Sequence, residues 1–121
     1  MISISKTFKF DAAHRLPYHE GKCANLHGHE YRLQVEITGK VNSVGMICDF
    51  GVLKSIVNGA FLEVYDHCYL NEFYENPTAE LMIDNMAEVL RIDFKATNLK
   101  LVQLKLWETS DSFARWTNED L

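Results

Sequence analysis

The chain has 121 residues, of which 47% are hydrophobic and 24% are charged, and its net charge is -5. This length predicts a single domain over residues 1–121, and the composition excludes an intrinsically disordered chain. The acidic balance argues against nonspecific binding to nucleic acid, which requires clustered Lys and Arg.

Hydrophobic alternation predicts two strands in the first third of the chain. The alternating residues are Ile2, Ile4, Phe8 and Phe10 in the first strand, and Tyr31, Leu33, Val35 and Ile37 in the second. Gly39 ends the second strand, and a polar, His-rich connection joins the two.

Two amphipathic helices are predicted next in the chain. The first extends from about Phe50 to Leu62 behind a candidate N-cap at Asp49. The second starts at Pro77 and Thr78, and its apolar stripe consists of Met82, Ile83, Met86, Val89 and Leu90. Residues 63–77 between the helices lack periodicity, as loops that carry function often do.

Two more strands complete the predicted fold. Val102, Leu104 and Leu106 alternate with more polar neighbours in the third strand, and Ser112 to Thr117 form a short fourth. The order ββααββ predicts an α+β domain in which two helices cover one face of an antiparallel four-stranded sheet.

Three histidines lie where the first two strands are expected to meet. Side chains alternate in an extended segment, so His27-Gly28-His29 places two imidazoles on one face, and His14 supplies a third across the strand pair. A lone histidine at a strand end is usually an ordinary polar residue, but three together favour a metal site. Three neutral nitrogen ligands with one open position are typical of catalytic zinc. We predict zinc rather than copper, iron or nickel because acid–base chemistry needs no redox change.

The three cysteines differ in their surroundings. Cys23 lies four residues before His27 in a polar segment, and this spacing leaves a fourth metal ligand, a nucleophile and a base all open. We assign Cys48 and Cys68 to packing. An odd number without close pairing predicts free thiols rather than a disulfide framework.

Two further sites carry carboxylates. Asp66-His67 is either a carboxylate-oriented proton shuttle or an exposed turn with a surface histidine. Glu108 is either solvated at the exit of the third strand or lies at the floor of a pocket, where its two oxygens would accept N–H bonds from a planar heterocycle.

The N-terminal residues and the size of the domain bear on compartment and assembly. Residues 1–6 lack the features of a signal peptide, and no apolar run approaches the ~20 residues that a membrane span needs. We therefore expect a cytoplasmic protein without a membrane partner. A small domain also favours oligomers that complete its active sites.

Several sequence blocks together resemble the 6-pyruvoyltetrahydropterin synthase superfamily. The two strongest are FDAAHRLP at 10–17 and CANLHGH at 23–29. Further blocks follow in the family's order at 45–50, 66–71, 76–80 and 108–109. A cysteine separated by three residues from His-Gly-His resembles the bacterial 6-carboxytetrahydropterin synthase branch of queuosine biosynthesis.

The resemblance implies a tunnelling fold (T-fold) whose sheets join between subunits into a barrel, commonly in a hexamer made of two trimers. It also implies a lyase that converts 7,8-dihydroneopterin triphosphate to 6-carboxy-5,6,7,8-tetrahydropterin, acetaldehyde and triphosphate. The implied residues are His14, His27 and His29 for zinc, Cys23 as the base, Asp66 and His67 as a relay across a subunit interface, and Glu108 and Thr109 for the pterin. Arg15 and Lys22 are the nearest cations in sequence for the triphosphate.

Other functions stay open at this point. The same fold supports 6-pyruvoyltetrahydropterin formation and an aldolase-like cleavage of dihydroneopterin. Aldolase-like relatives often place a glutamate near the cysteine, whereas residues 23–28 contain no acidic residue. A noncatalytic pterin or metal-binding module is a further alternative, but binding alone requires neither Cys23 nor the Asp66-His67 pair. Residues 110–121 resemble the family only loosely, which leaves subunit contacts there undefined.

Overall fold

Two long strands form the centre of the structure, a computed structural model that describes residues 1–121. β1 (Ser3–His14) and β2 (His27–Thr38) pair antiparallel along their whole length. The pairing extends from Ser3 opposite Thr38 to His14 opposite His27. The last pair of the ladder therefore consists of two of the candidate metal ligands.

Three more strands extend this pair into a sheet with the order β3-β1-β2-β4-β5. β4 (Lys100–Thr109) and β5 (Ser112–Thr117) add on the β2 side in antiparallel pairing. β3 (Cys68–Tyr69) adds on the other side and pairs in parallel with Ala12 and Ala13 of β1. The predicted α+β class is confirmed. The four predicted strands form the antiparallel part of the sheet, and the structure adds the two-residue β3, which is too short to show periodicity.

Two helical segments cross the sheet. α1 (Phe50–Val57) starts at Asp49, whose side chain accepts a hydrogen bond from the Gly51 N–H. It continues through a π-helical segment (Asn58–Leu62) and a last turn (Glu63–Tyr65), so it extends past the predicted end at Leu62. α2 (Ala79–Phe94) starts at the N-cap Thr78, whose hydroxyl accepts from the Leu81 N–H.

The core lies between the helices and one face of the sheet. It contains 24 buried hydrophobic residues, among them Leu33, Met82, Met86 and Leu104, which are fully buried. Burial of one such side chain contributes about 1.5–3 kcal/mol. Exposed charged residues such as Lys9, Glu30 and Arg32 lie on the opposite sheet face. No helix in the chain has both the length and the apolar character that crossing a membrane requires.

A register shift changes the burial pattern of β4. We predicted Val102 on the same face as Leu104 and Leu106, but the β2–β4 pairing shifts between Glu36 and Ile37. Leu101 therefore faces the core with 1% exposure, whereas Val102 is only partly buried. An extra residue in one strand reverses the alternation beyond it.

Candidate active site

The three histidines converge at one end of the sheet, on its helix-covered face. His14 is paired with His27 across the strands, and His29 lies opposite Ala12. Their ring centroids are 4.6 Å (His14–His27), 5.0 Å (His14–His29) and 4.8 Å (His27–His29) apart. One nitrogen of each ring lies within 4.8 Å of the others. The structure thus brings the sequence-predicted metal ligands together in a single cluster.

Backbone carbonyls fix the orientation of two of these rings. Nδ1 of His14 lies 2.9 Å from the Pro77 carbonyl oxygen, and Nδ1 of His27 lies 2.8 Å from that of Asn25. A carbonyl only accepts, so each Nδ1 carries the proton and each Nε2 presents a lone pair. The two Nε2 atoms are 3.0 Å apart. Two lone pairs at this distance repel one another unless a cation lies between them, and the donor set therefore fits a metal ion.

Burial favours the neutral imidazole of His14 and of His29. His14 is fully buried, and desolvation lowers its pKa although the Pro77 carbonyl and Glu108 act in the opposite direction. Desolvation also lowers the pKa of His29, again against the effect of Glu108. The neutral imidazole is the form that binds a metal.

Glu108 reaches the cluster from the neighbouring strand. It lies where the β4–β5 pairing shifts register between Trp107 and Thr109, and such bulges redirect side chains. Its Oε1 is 3.7 Å from Nε2 of His14, and its side chain is 29% exposed. The carboxylate also lines a cleft of about 340 Å³ that begins at the first turn of α2.

Thr109, the second residue predicted for substrate binding, lies at the exposed end of β4. Its hydroxyl donates a hydrogen bond to Asp111, at 2.9 Å, in the turn that leads to β5. Thr109 therefore stabilises the turn beside the cleft, whereas Glu108 faces the histidines.

Cys23 lies in the loop that joins the two histidine-bearing strands. It is part of a single 3₁₀ turn (Lys22–Ala24), and its carbonyl accepts a hydrogen bond from the Leu16 N–H at 2.9 Å. The loop leaves the sheet at His14 and returns at His27, so Cys23 is held at the same end of the sheet. The partly buried thiol is not among the three mutually close ligand atoms. This arrangement favours a base or nucleophile over a fourth ligand.

Asp66 and His67 form a pair outside this cluster. The Asp66 carboxylate lies 3.1 Å from Nδ1 of His67 and accepts the Asp11 N–H at 3.0 Å. That backbone hydrogen bond is the main cause that lowers the pKa of Asp66. His67 has φ +63°, a conformation uncommon for residues other than glycine, and its N–H donates to the Asp11 carbonyl. Both side chains are exposed, and neither bonds to the histidine cluster of the same chain.

Sequence reasoning missed some groups that hold the cluster. The Pro77 carbonyl is 63 residues from His14, and a main-chain oxygen has no signature in a sequence. Tyr31 was interpreted only as a core residue of the second strand, but its hydroxyl lies 3.2 Å from Nδ1 of His14. Its one available signal was its position two residues after His29, on the same strand face.

Comparison with known proteins agrees with this geometry. The family model for 6-pyruvoyl tetrahydropterin synthase matches residues 3–119. The chain belongs to this family. A 6-carboxy-5,6,7,8-tetrahydropterin synthase from Haemophilus influenzae is 37% identical over 140 residues, covering 96% of this chain and 99% of that protein.

Two other similar proteins are named for different activities. A dihydroneopterin monophosphate aldolase from Pyrococcus furiosus is 36% identical over 102 residues, covering 84% of this chain and 85% of that protein. The structure of 6-pyruvoyl tetrahydropterin synthase from Caenorhabditis elegans matches with a TM-score of 0.83 at 26% identity, covering 98% of this chain and 96% of that one. The predicted family and the predicted T-fold are confirmed.

Proposed function

We propose that this chain is a zinc-dependent lyase of queuosine and 7-deazapurine biosynthesis. It converts 7,8-dihydroneopterin triphosphate and one water to 6-carboxy-5,6,7,8-tetrahydropterin, acetaldehyde and triphosphate. The observation that carries the proposal is the histidine cluster with two Nε2 lone pairs 3.0 Å apart, beside Glu108 and the Cys23 loop. The similarity to the Haemophilus influenzae synthase over 96% of the chain supports it.

His14, His27 and His29 are the residues that would hold zinc. The carbonyls of Pro77 and Asn25 orient two of the rings, as the outer hydrogen-bond partners of metal ligands usually do. A zinc ion bound there supplies Lewis acidity toward the side-chain oxygens of the substrate.

The remaining groups position the substrate and move protons. Glu108 accepts N–H bonds from the pterin ring and thereby places the substrate side chain over the histidines. The Glu108 carboxylate is close enough for this, since its Oε1 lies 3.7 Å from Nε2 of His14. Cys23, as the thiolate, removes a proton from the substrate side chain. Arg15 and Lys22 are exposed on the same loop, and no carboxylate of this chain pairs with them to compete with the triphosphate.

The Asp66-His67 pair serves the site of a neighbouring subunit in this proposal. Asp66 holds Nδ1 of His67 and leaves Nε2 to exchange protons. The exposure of the pair and its separation from the ligand group of its own chain support a shared site. β5 also has one unpaired edge, and β3 covers only Ala12 and Ala13 of β1, so both edges are available for pairing in a ring. We propose a hexamer of two trimers, located in the cytoplasm, where the free Cys23 thiol stays reduced.

An aldolase-type reaction is the second candidate because of the Pyrococcus furiosus relative. The absence of a carboxylate between Cys23 and Gly28 favours the synthase reaction. Release of inorganic triphosphate distinguishes the candidates, because cleavage to a hydroxymethylpterin leaves the phosphates attached to carbon. We expect zinc-loaded protein to release one triphosphate per substrate consumed, measured by anion chromatography. Consumption without free triphosphate, or no consumption at all, would overturn the proposal.

The Glu108→Gln variant tests the pterin anchor. It keeps the size of the side chain but replaces a charged acceptor, so kcat/KM is expected to fall by about tenfold to a hundredfold while zinc stays bound. Glu30→Gln is the matched control because Glu30 lies on the exposed face of β2, where it pairs only with Lys9. An unchanged kcat/KM in Glu108→Gln would remove Glu108 from the binding site.

A further inference from the structure

Asn71 forms a two-bond connection to the main chain that follows His14. Its Oδ1 accepts the Arg15 N–H at 2.9 Å, and its Nδ2 donates to the Arg15 carbonyl at 2.9 Å. A side-chain amide offers the same donor and acceptor as a peptide group, so Asn71 binds Arg15 as a neighbouring strand would. The two residues are 56 positions apart in sequence.

This connection continues the short β3 strand. Cys68 and Tyr69 pair with Ala12 and Ala13 through the main chain. Two residues further on, the Asn71 side chain forms the corresponding hydrogen bonds with Arg15. Residue 14 is therefore held on both sides by the same segment. That segment begins with Asp66 and His67 and ends at Pro77, whose carbonyl orients His14.

The residue after Arg15 contacts the turn that carries Cys23, so the hydrogen bonds to Arg15 also restrain that turn. Leu16, the next residue, donates its N–H to the Cys23 carbonyl at 2.9 Å. A second contact joins the loop to the same segment, since the Tyr18 hydroxyl donates to Glu75 at 2.5 Å. The 3₁₀ turn that carries Cys23 has no side-chain cap of its own, and the Leu16 and Tyr18 bonds connect its loop to β1 and to the segment that ends at Pro77.

We propose that Asn71 is a positioning residue that fixes the loop 15–26 and thereby holds the Cys23 thiol beside the histidine cluster. Asn71 itself touches neither substrate nor metal in this role. Its effect on turnover rests on the proposed function, whereas its effect on the accessibility of the thiol does not.

The test is the rate of alkylation of Cys23 by iodoacetamide in Asn71→Ala, located on the Cys23 peptide by mass spectrometry. Without both hydrogen bonds the loop opens more often, and we expect the rate to rise on the order of tenfold. With the proposed substrate we expect kcat to fall more than KM changes, because the displaced group acts on the reaction rather than on binding.

Asn118→Ala is the matched control. Asn118 also bonds twice to the main chain, to the Leu101 carbonyl and the Asp120 N–H, but at the opposite end of the sheet. Asn71→Asp gives a milder variant should Asn71→Ala not fold, because it keeps the acceptor for Arg15 and loses the donor. An unchanged Cys23 alkylation rate in a folded Asn71 variant, or an equal rise in Asn118→Ala, would overturn the proposal.

Discussion

Replacing His27 with Ala is expected to release the metal and abolish turnover together. His27 supplies a lone pair 3.0 Å from that of His14, and its removal leaves two of three ligands. Loss of a group that merely orients a ligand typically costs tenfold to a hundredfold in metal affinity, and loss of a ligand costs at least about as much. Metal analysis after dialysis, together with the turnover rate, measures both effects in one preparation.

His27 is the appropriate ligand to replace because it is only partly buried, whereas His14 is fully buried and hydrogen-bonded to Pro77. A defect in His27→Ala is therefore less open to explanation by misfolding. His19→Ala is the control, since His19 lies exposed on the same loop and its side chain accepts a hydrogen bond only from the Gly21 N–H. Stoichiometric zinc in purified His27→Ala would refute the ligand assignment.

Cys23→Ala is expected to keep the zinc and lose the reaction. The thiol lies outside the group of three close ligand atoms, so its removal leaves the metal site intact. Loss of a positioned base lowers the rate by about 10²–10⁴. Metal content and single-turnover kinetics of the same sample separate the two effects.

Two variants make the Cys23 result specific. Cys23→Ser preserves the volume but presents a hydroxyl that ionises far less readily, and we expect it to be nearly as slow as Cys23→Ala. Cys48→Ala removes a thiol that packs against the core outside the site, and it should turn over normally. Activity of Cys23→Ala within a few-fold of the unsubstituted protein would exclude Cys23 as the base.

The features that could be predicted from the sequence are local ones. The alternation in β1 and β2 and the caps at Asp49 and Thr78 depend on neighbouring residues, and the structure shows each of them. The bulge beside Ile37 and the two-residue β3 depend instead on partner strands. The hydrophobic periodicity of a single segment does not depend on its partner strands, so the bulge and β3 could not be predicted.

The same distinction applies to the site. The spacing of His27 and His29 and the position of His14 predict a cluster where two strands meet, and the three side chains lie together there. The Pro77 carbonyl that orients His14 and the Asn71 amide that binds the Arg15 main chain are 63 and 56 residues from their partners. Only the folded segment between the helices brings them to the end of β1, which is why no pattern in the sequence predicts their pairing.

The most direct test of the central claim is the identity of the carbon fragment released from 7,8-dihydroneopterin triphosphate by zinc-loaded protein. The assay captures aldehydes in solution as hydrazones and identifies them and the pterin product by mass spectrometry, with Cys23→Ala as the blank. We expect acetaldehyde and a carboxypterin in equal amounts. Glycolaldehyde triphosphate with a hydroxymethylpterin, or a pyruvoyl pterin without acetaldehyde, would contradict the assigned reaction.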